Sequence, residues 1–280
     1  RFIIALGVSG CLITKGTDLS AGRTAGFTAC MAAILLQKSD YANKYWPWLG
    51  EVPVIAALAI VLGIGALIGA VNGSVISLFK VPPFIATLGM QTLVYGLALV
   101  MTGAQPLGSL RSQYTGIATG FVGNPIISYV ALIALAVGLI MWLLYNKMRY
   151  GKYMYAIGGN EAAAEVAGVN VSRSKILIYT LAGILYGLCG FLLAAKSGGA
   201  SVNTAMGYEL EAIAGCTIGG VSVNGGVGRI SGILIGVLVF EVLKIAMQFM
   251  GVETSYTYIV QGIVIIIAVA LDIRKYVAKR

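Results

Sequence analysis

Residues 155–171 read YAIGGNEAAAEVAGVNV and form a long polar stretch inside an otherwise apolar chain. Asn160 is a residue type whose side-chain oxygen caps a helix by accepting a hydrogen bond from a backbone N–H. Glu161 suits the first turn of a helix, and the alanines after it have the highest helix propensity. Gly168 suits the left-handed position that ends a helix. The stretch therefore predicts a short, capped helix between two apolar segments.

Basic residues surround this predicted helix, and its role has two interpretations. It is either an ordinary loop with a helical turn or a docking element for a soluble partner protein. Lys and Arg concentrate in the cytoplasmic loops of membrane proteins, so we expect the loop 147–175 to be cytoplasmic. Its basic residues are Lys147, Arg149, Lys152, Arg173 and Lys175.

The composition is that of a membrane protein. The chain is 59% hydrophobic and 10% charged, with a mean hydropathy of +0.91, whereas about a quarter of the residues of a soluble domain are charged. Repeated apolar runs of near twenty residues predict several membrane helices. The net charge of +9 is concentrated in one loop and at the C-terminus. That placement follows membrane topology and argues against nucleic acid as a partner.

Several classes of site are excluded by the residues present. The chain has no His and no GxxxxGK[ST] motif, so His-based catalysis and P-loop ATP hydrolysis are excluded. No nucleophile has a base partner and no metal-ligand set occurs. We therefore predict no catalytic residue, no metal and no cofactor. The cysteines share no CxxC spacing and are interpreted as small buried hydrophobic residues. They are Cys11, Cys30, Cys189 and Cys216.

The apolar runs predict an all-α polytopic membrane protein with a single membrane domain over residues 1–280. Alternation of the segments places the C-terminal tail inside, where Arg274, Lys275, Lys279 and Arg280 add positive charge. The outer loops are then 38–53, 104–125, 196–208 and 251–255. Residue 1 directly precedes an apolar run and is not Met, so we expect an earlier segment to be missing. The nine predicted segments are 2–14, 17–37, 54–79, 84–103, 126–146, 176–195, 209–223, 228–250 and 256–272.

Two of these segments are too short to cross a membrane as regular helices. Segment 2–14 runs into KGTDLSAGR, and segment 209–223 ends in a glycine-rich stretch. Both contain Gly-Cys, at Gly10-Cys11 and Gly215-Cys216, so an internal repeat is one interpretation. Interrupted helices in corresponding halves of a chain are typical of transport pathways. The pattern therefore predicts short, broken helices.

Small residues recur at helical spacing and predict close helix packing, or more weakly a dimer face. Trp46 and Trp48 predict an aromatic anchor at the outer membrane surface. The glycine pairs are Gly65 and Gly69, Gly183 and Gly187, and Gly232 and Gly236.

Polar residues inside the apolar segments are candidates for a translocation pathway, because such residues are costly in a membrane. Amide side chains complement the hydroxyls of a sugar, although amides also join helices to one another. Glu241 and Lys244 have the alternative interpretation of a pair that neutralises itself. The candidates are Asp18, Asn72, Gln91, Tyr95, Glu241, Lys244 and Gln261.

Four motifs carry a resemblance to a known family. They are GTDLSAG at 16–22, VPPFIATLGM at 81–90, GKYMYAIGGNEAAAEVAGVNV at 151–171 and IGGVSVNGGVGRISGILIGV at 218–237. In this order they resemble the permease subunits of bacterial monosaccharide ABC importers over essentially the whole chain. YELEAIA at 208–214 and the closing VALDIRKYVAKR resemble the galactose/methyl-galactoside branch. Lys15 departs from the family pattern, which leaves the pathway chemistry open.

The resemblance implies a permease of the bacterial inner membrane, with ten transmembrane helices in the family. It implies a second permease copy, a cytoplasmic ABC ATPase that hydrolyses the ATP, and a periplasmic sugar-binding protein that delivers the sugar. The permease itself is then not an enzyme and works by alternating access. The family's coupling helix, which contacts the ATPase, maps onto Gly159, Asn160, Glu161, Ala162, Ala163, Ala164, Glu165, Val166 and Gly168.

Three alternatives stay open on the sequence alone. The first is an ABC permease for another cargo, such as ribose, xylose or a nucleoside. The second is an ion-coupled secondary transporter, for which Glu241 is the titratable candidate. The third is a structural membrane scaffold, which would tolerate changes at Asn72, Gln91 and the predicted coupling helix.

Overall fold

The computed structural model describes residues 1–123 and 127–277, and within these residues the protein is helical, with isolated β-bridges in place of sheets. The predicted all-α class is confirmed. The helices are α1 (Phe2–Ile13), α2 (Ala21–Leu35), α3 (Val54–Leu78), α4 (Pro83–Thr102), α5 (Ser112–Thr119), α6 (Tyr129–Lys147), α7 (Arg149–Gly159), α8 (Glu161–Val166), α9 (Val171–Ser197), α10 (Tyr208–Ile218), α11 (Ile230–Phe249) and α12 (Thr254–Val277).

Among the described residues, six helices are long and apolar enough to cross a membrane, namely α3, α4, α6, α9, α11 and α12. The predicted count of nine is not confirmed. Segments 2–14, 17–37 and 209–223 form α1, α2 and α10, which have 12, 15 and 11 residues. At 1.5 Å per residue these helices are about 16–23 Å long, short of the roughly 30 Å hydrocarbon layer. The apolar sequence of these segments continues past the ends of the three helices, but the backbone there is no longer helical.

The short helices form the centre of the protein and the long ones surround them. Every residue of α1 after Phe2 is buried, and α9 is packed against α1, α2 and α3. The outer helices expose apolar faces, as Ile266 on α12 and Ile235 on α11 illustrate. These faces match the apolar solvent of a bilayer. The broken helices are thus shielded from lipid by the spanning ones.

Close approach of α3 and α9 depends on glycine. A Cβ at Gly65 would overlap the carbonyl oxygen of Gly183, and a Cβ at Gly183 would overlap that of Gly65. The pair Gly232 and Gly236 on α11 faces α10 in the same way. The predicted close packing is confirmed, and these contacts lie within one chain. The weaker interpretation as a dimer face therefore loses its basis.

The predicted outer loops lie at one end of the bundle. Isolated bridges join Gln37 to Leu110 and Leu107 to Ala200. Trp46 and Trp48 stack with ring centroids 5.7 Å apart, and Trp48 is 77% exposed.

At the opposite end Lys80 lines a cavity together with residues of α8. The last basic residues of the predicted inner tail, Lys279 and Arg280, and the first residue of the predicted segment 126–146 lie outside the described residues.

Candidate functional site

Helix α8 is the short capped helix that the sequence predicts. The side chain of Asn160 accepts a hydrogen bond from the backbone N of Ala163 at 3.1 Å. The helix ends with Gly168 at φ +84°, whose N–H donates to the carbonyl of Glu165. A capped helix of six residues has a defined orientation even though it is too short to be stable alone.

Two contacts fasten α8 to the membrane helices. Ala164 is 4% exposed and packs in a small cluster with Ile157 of α7 and Val171 of α9. Lys175 Nζ also lies 2.8 Å from the Glu161 carboxylate, in an ion pair with α9. Helix α8 is therefore in contact with both α7 and α9.

The remaining surface of α8 is open. Ala162, Ala163 and Glu165 are exposed, and the Val166 side chain is 91% exposed. An apolar side chain fully presented to solvent, next to a carboxylate, supplies both hydrophobic and charged contacts to a soluble protein. Gly159 is also exposed, and it directly precedes this surface.

The residues just before α8 form a tight backbone contact, here called the glycine junction, of Ile13, Gly158 and Gly226. The N–H of Gly226 donates to the carbonyl of Ile13 at 2.8 Å. Gly158 lies so close to both that a Cβ would overlap the Ile13 oxygen. Lys15 Nζ donates to the carbonyl of Gly159 at 3.2 Å. The junction therefore ties α7 to the break after α1 and to the loop between α10 and α11.

Lys15, the residue that departs from the family pattern, takes part in this junction through its hydrogen bond to Gly159. Its backbone is in the left-handed region, at φ +61°, and its side chain is exposed toward Gly159. Tyr155 adds a second link, since its hydroxyl donates to the carbonyl of Gly228 at 2.8 Å. Sequence reasoning did not single out Tyr155 or Gly226 as partners, because they are separated in the chain.

Asp18 and Asn72 are brought together in the break between α1 and α2. The Asp18 carboxylate accepts hydrogen bonds from the backbone N of Ser20 at 3.0 Å and from its hydroxyl at 2.6 Å. The Asn72 amide donates to the same Ser20 hydroxyl at 2.9 Å. All three side chains are buried. This network helps to define the start of α2, since Asp18 accepts a hydrogen bond from the backbone N–H of Ser20, the residue directly before that helix.

Gln91 and Tyr95 lie half-buried on α4, where Tyr95 faces α2. The guanidinium of Arg23 lies 4.2 Å from the centroid of the Tyr95 ring. Arg23 also donates to the carbonyl of Val202 at 3.0 Å. Sequence reasoning passed over Arg23, although an arginine inside an apolar segment is itself a signal for a functional or structural pairing.

Glu241 and Lys244 do not pair with each other, so their interpretation as a self-neutralising pair is wrong. Lys244 lies 2.8 Å from Glu211 of α10, and Glu241 pairs with Arg1. Arg1 also lies 2.8 Å from Glu211. Glu241 and Lys244 are one helical turn apart, but each forms its ion pair with a nearer charge on a neighbouring element. The cluster borders a groove of about 740 Å³.

Removing the Glu211 carboxylate should destabilise the protein. In Glu211→Leu, Lys244 and Arg1 lose a partner at a mostly buried site, and a loss of about 3 kcal/mol in unfolding free energy is expected. Thermal unfolding in detergent measures the loss. The added change Lys244→Leu should recover part of it, because an apolar pair replaces the lone cation. If the double variant is no more stable than Glu211→Leu, the pairing with Lys244 carries no energy.

The seven candidate pathway residues fall in separate places. Asp18 and Asn72 share one network, Gln91 and Tyr95 lie on α4, and Glu241 and Lys244 border the groove described above. Gln261 is buried on α12. A continuous pathway through them stays a prediction.

Within residues 1–123 and 127–277, His, Cys, Asp and Glu do not form a group of three that could hold a metal ion. The four cysteines are free and buried, as predicted, and Cys216 Sγ donates to the carbonyl of Ala5 at 3.3 Å. Cysteine therefore serves the packing of α1 against α10.

Comparison with known proteins gives a match over nearly the whole chain. Residues 2–269 match a family described as the permease component of a branched-chain amino acid transport system. No solved structure matches.

Individual relatives of this chain are sugar permeases. The chain is 45% identical to the galactose/methyl galactoside import permease of Escherichia coli K12, over 100% of this chain and 85% of that protein. It is 34% identical to the protein of that name from Treponema pallidum, over 100% and 55%. It is 36% identical to the ribose import permease of Escherichia coli K12, over 98% and 82%.

Proposed function

The chain belongs to this family of ABC transport permease components, and from that premise we propose that its cargo is galactose or a methyl galactoside. It is a permease subunit of a sugar importer in the bacterial inner membrane, and it is a transport component rather than an enzyme. The 45% identity to a galactose permease over the full chain supports this cargo. Ribose is the second candidate, supported by the 36% identity to a ribose permease.

The observation that carries the mechanism is the position of α8. It presents Val166 and Glu165 to solvent, while Ala164 and Glu161 fasten it to α7 and α9. A cytoplasmic ABC ATPase that docks on the exposed face of α8 can displace the membrane helices through these contacts. ATP binding favours one of two arrangements of the permease only through contacts that differ between them. Helix α8 is the surface for such contacts.

The glycine junction then passes the movement inward. Gly158 lies near the end of α7, three residues before α8 begins, and it contacts Ile13 at the end of α1 and Gly226 in the loop before α11. Both broken regions therefore respond to one displacement of α7. Alternating access follows when the interrupted helices shift relative to the spanning helices around them.

The outer end of the bundle is the proposed landing surface for a periplasmic sugar-binding protein. The bridges at Gln37 and Leu107 join three outer loops into one surface, with Trp48 exposed on it. We further propose a second copy of the permease as the partner in the membrane, in line with the symmetric pairing common among oligomers.

Uptake of labelled galactose into proteoliposomes tests the proposal. The vesicles hold the permease, its ATPase and its binding protein. The double variant Glu161→Lys, Val166→Asp breaks the ion pair with Lys175 and places a charge on the exposed face of α8. Uptake and ATPase recruitment should both fall at least about tenfold, which corresponds to about 1.4 kcal/mol of docking energy. The control Lys147→Gln, exposed on the same side but outside α8, should transport normally.

Three outcomes would contradict the proposal in whole or in part. If the double variant transports at the native rate, α8 is not the ATPase contact. If galactose enters without ATP and Glu241→Gln abolishes the uptake, the protein is an ion-coupled transporter. Uptake of ribose with ATP, and none of galactose, would replace the cargo and leave the coupling intact.

A further inference from the structure

A second cavity lies at the cytoplasmic end of the protein, beside the segment that carries α8. It measures about 370 Å³ and lies between α7 and the first turns of α9. The stacked ring of Tyr150, whose centroid is 6.2 Å from that of Tyr145, gives it a fixed wall. Its lining residues are Arg149, Tyr150, Tyr153, Gly168, Asn170, Arg173, Ser174, Leu177 and Ile178.

The charge of this cavity is positive and uncompensated. Arg149 and Arg173 line it, and none of its lining residues is acidic. Within the described residues, neither arginine side chain has a hydrogen bond or ion-pair partner, whereas the nearby Lys175 is paired with Glu161. Two free guanidinium groups on one cavity form an anion site, because each presents a planar fork of donors that matches phosphate.

The location of the cavity identifies the source of the anion. Helix α6 ends at Lys147 and α9 begins at Val171, and both helices cross the membrane, so the cavity lies at the depth of the lipid headgroups. Leu177 lies one turn deeper than Arg173 and is 53% exposed. A ligand that places its phosphate on the arginines therefore meets an apolar surface directly below it.

We propose that this cavity binds the phosphate headgroup of an anionic phospholipid from the cytoplasmic leaflet. Basic pockets between helices on the cytoplasmic side suit such headgroups. Arg149 and Arg173 bind the phosphate, and Leu177 contacts an acyl chain. The lipid holds α7 against α9 at the base of the segment that carries α8. This role is separate from the cargo and from ATPase docking.

Native mass spectrometry of the detergent-solubilised protein tests the site with two lipids of identical acyl chains. The probes are palmitoyl-oleoyl phosphatidylglycerol and palmitoyl-oleoyl phosphatidylcholine. The native protein should bind the phosphatidylglycerol about thirtyfold more tightly, as expected when each of the two arginines contributes about 1 kcal/mol of attraction. The double variant Arg149→Gln, Arg173→Gln should lose this preference. The control Lys152→Gln, an exposed cation of α7 that does not line the cavity, should keep it.

Further arms distinguish this lipid from other anions. The variant Arg149→Lys, Arg173→Lys keeps both positive charges but loses the planar pair of guanidinium donors. Its preference for phosphatidylglycerol over phosphatidylcholine should therefore be intermediate. Inorganic phosphate at millimolar concentration should not displace the lipid. The proposal is overturned if the glutamine variant keeps the preference while its melting temperature is native. It is also overturned if inorganic phosphate competes as well as the lipid, or if the arginines are needed for ATPase binding in pure phosphatidylcholine.

Discussion

Replacing Gly158 by alanine is expected to abolish ATP-driven sugar uptake while leaving the ATPase bound. A Cβ at this position would overlap the carbonyl oxygen of Ile13 and lie 2.5 Å from the N of Gly226. Both neighbours are backbone atoms, so rotation of a side chain cannot relieve the overlap. Helix α7 must move away from the two broken regions, and the link from α8 to α1 is lost. Uptake in proteoliposomes should fall at least about tenfold, in line with the loss of a positioned contact.

Gly159→Ala provides the matched control for this experiment. Gly159 is the next residue, on the same helix, and a Cβ there would meet nothing within 4 Å. Its uptake should equal that of the native protein. The alanine at 158 leaves the exposed face of α8 unchanged, so a pull-down with the ATPase should still succeed. Normal uptake by Gly158→Ala would show that the glycine junction does not transmit the movement. Loss of uptake and of ATPase binding by both variants would point instead to the docking surface, which Gly159 borders.

Gly65→Ala is expected to destabilise the protein, because it forces α3 away from α9. The new Cβ would overlap the carbonyl oxygen of Gly183 and lie 3.0 Å from its carbonyl carbon. Helix α9 is the most buried of the spanning helices, so separation of α3 from α9 opens the centre of the protein. Overpacking of this kind costs about 1–3 kcal/mol, and rigid backbone neighbours favour the upper value. The melting temperature in detergent should fall by about 5–10 °C.

The neighbouring glycine on α3 again offers a comparison. A Cβ at Gly63 would meet nothing within 4 Å. Gly63→Ala should therefore be neutral or slightly stabilising, since alanine has the higher helix propensity. Equal melting temperatures for Gly63→Ala and Gly65→Ala would mean that the α3–α9 contact tolerates a wider separation than the structure shows.

Much of the fold could be predicted because it follows from local physics. Apolar runs bounded by charged loops located the helices α3, α4, α6, α9, α11 and α12, since only helices satisfy the backbone within a membrane. Asn160 and Gly168 located α8, because capping depends on residues adjacent in the chain. The predicted count of nine membrane segments is not confirmed, because three of them form helices shorter than a membrane span. Hydropathy does not register the loss of helical hydrogen bonds at a break such as the one that contains Asp18.

The partners of the polar residues could not be predicted in this way. Glu241 and Lys244 are neighbours on one helix face, yet each meets a charge from a different part of the chain. Arg23 received no weight, although it lies against Tyr95. Which side chains pair between two helices depends on the angle and position at which the helices cross, and a single sequence does not specify that geometry.

The sequence by itself determined that this chain is a helical membrane protein with a short capped helix in a basic loop, because composition, spacing and capping act within a few residues. Its motifs also carried the resemblance to a permease family. Only the tertiary structure decided that Gly158 meets Ile13 and Gly226, and that Arg149 and Arg173 share a cavity. These contacts join residues far apart in the chain, and they form only when packing at the glycines brings their helices together.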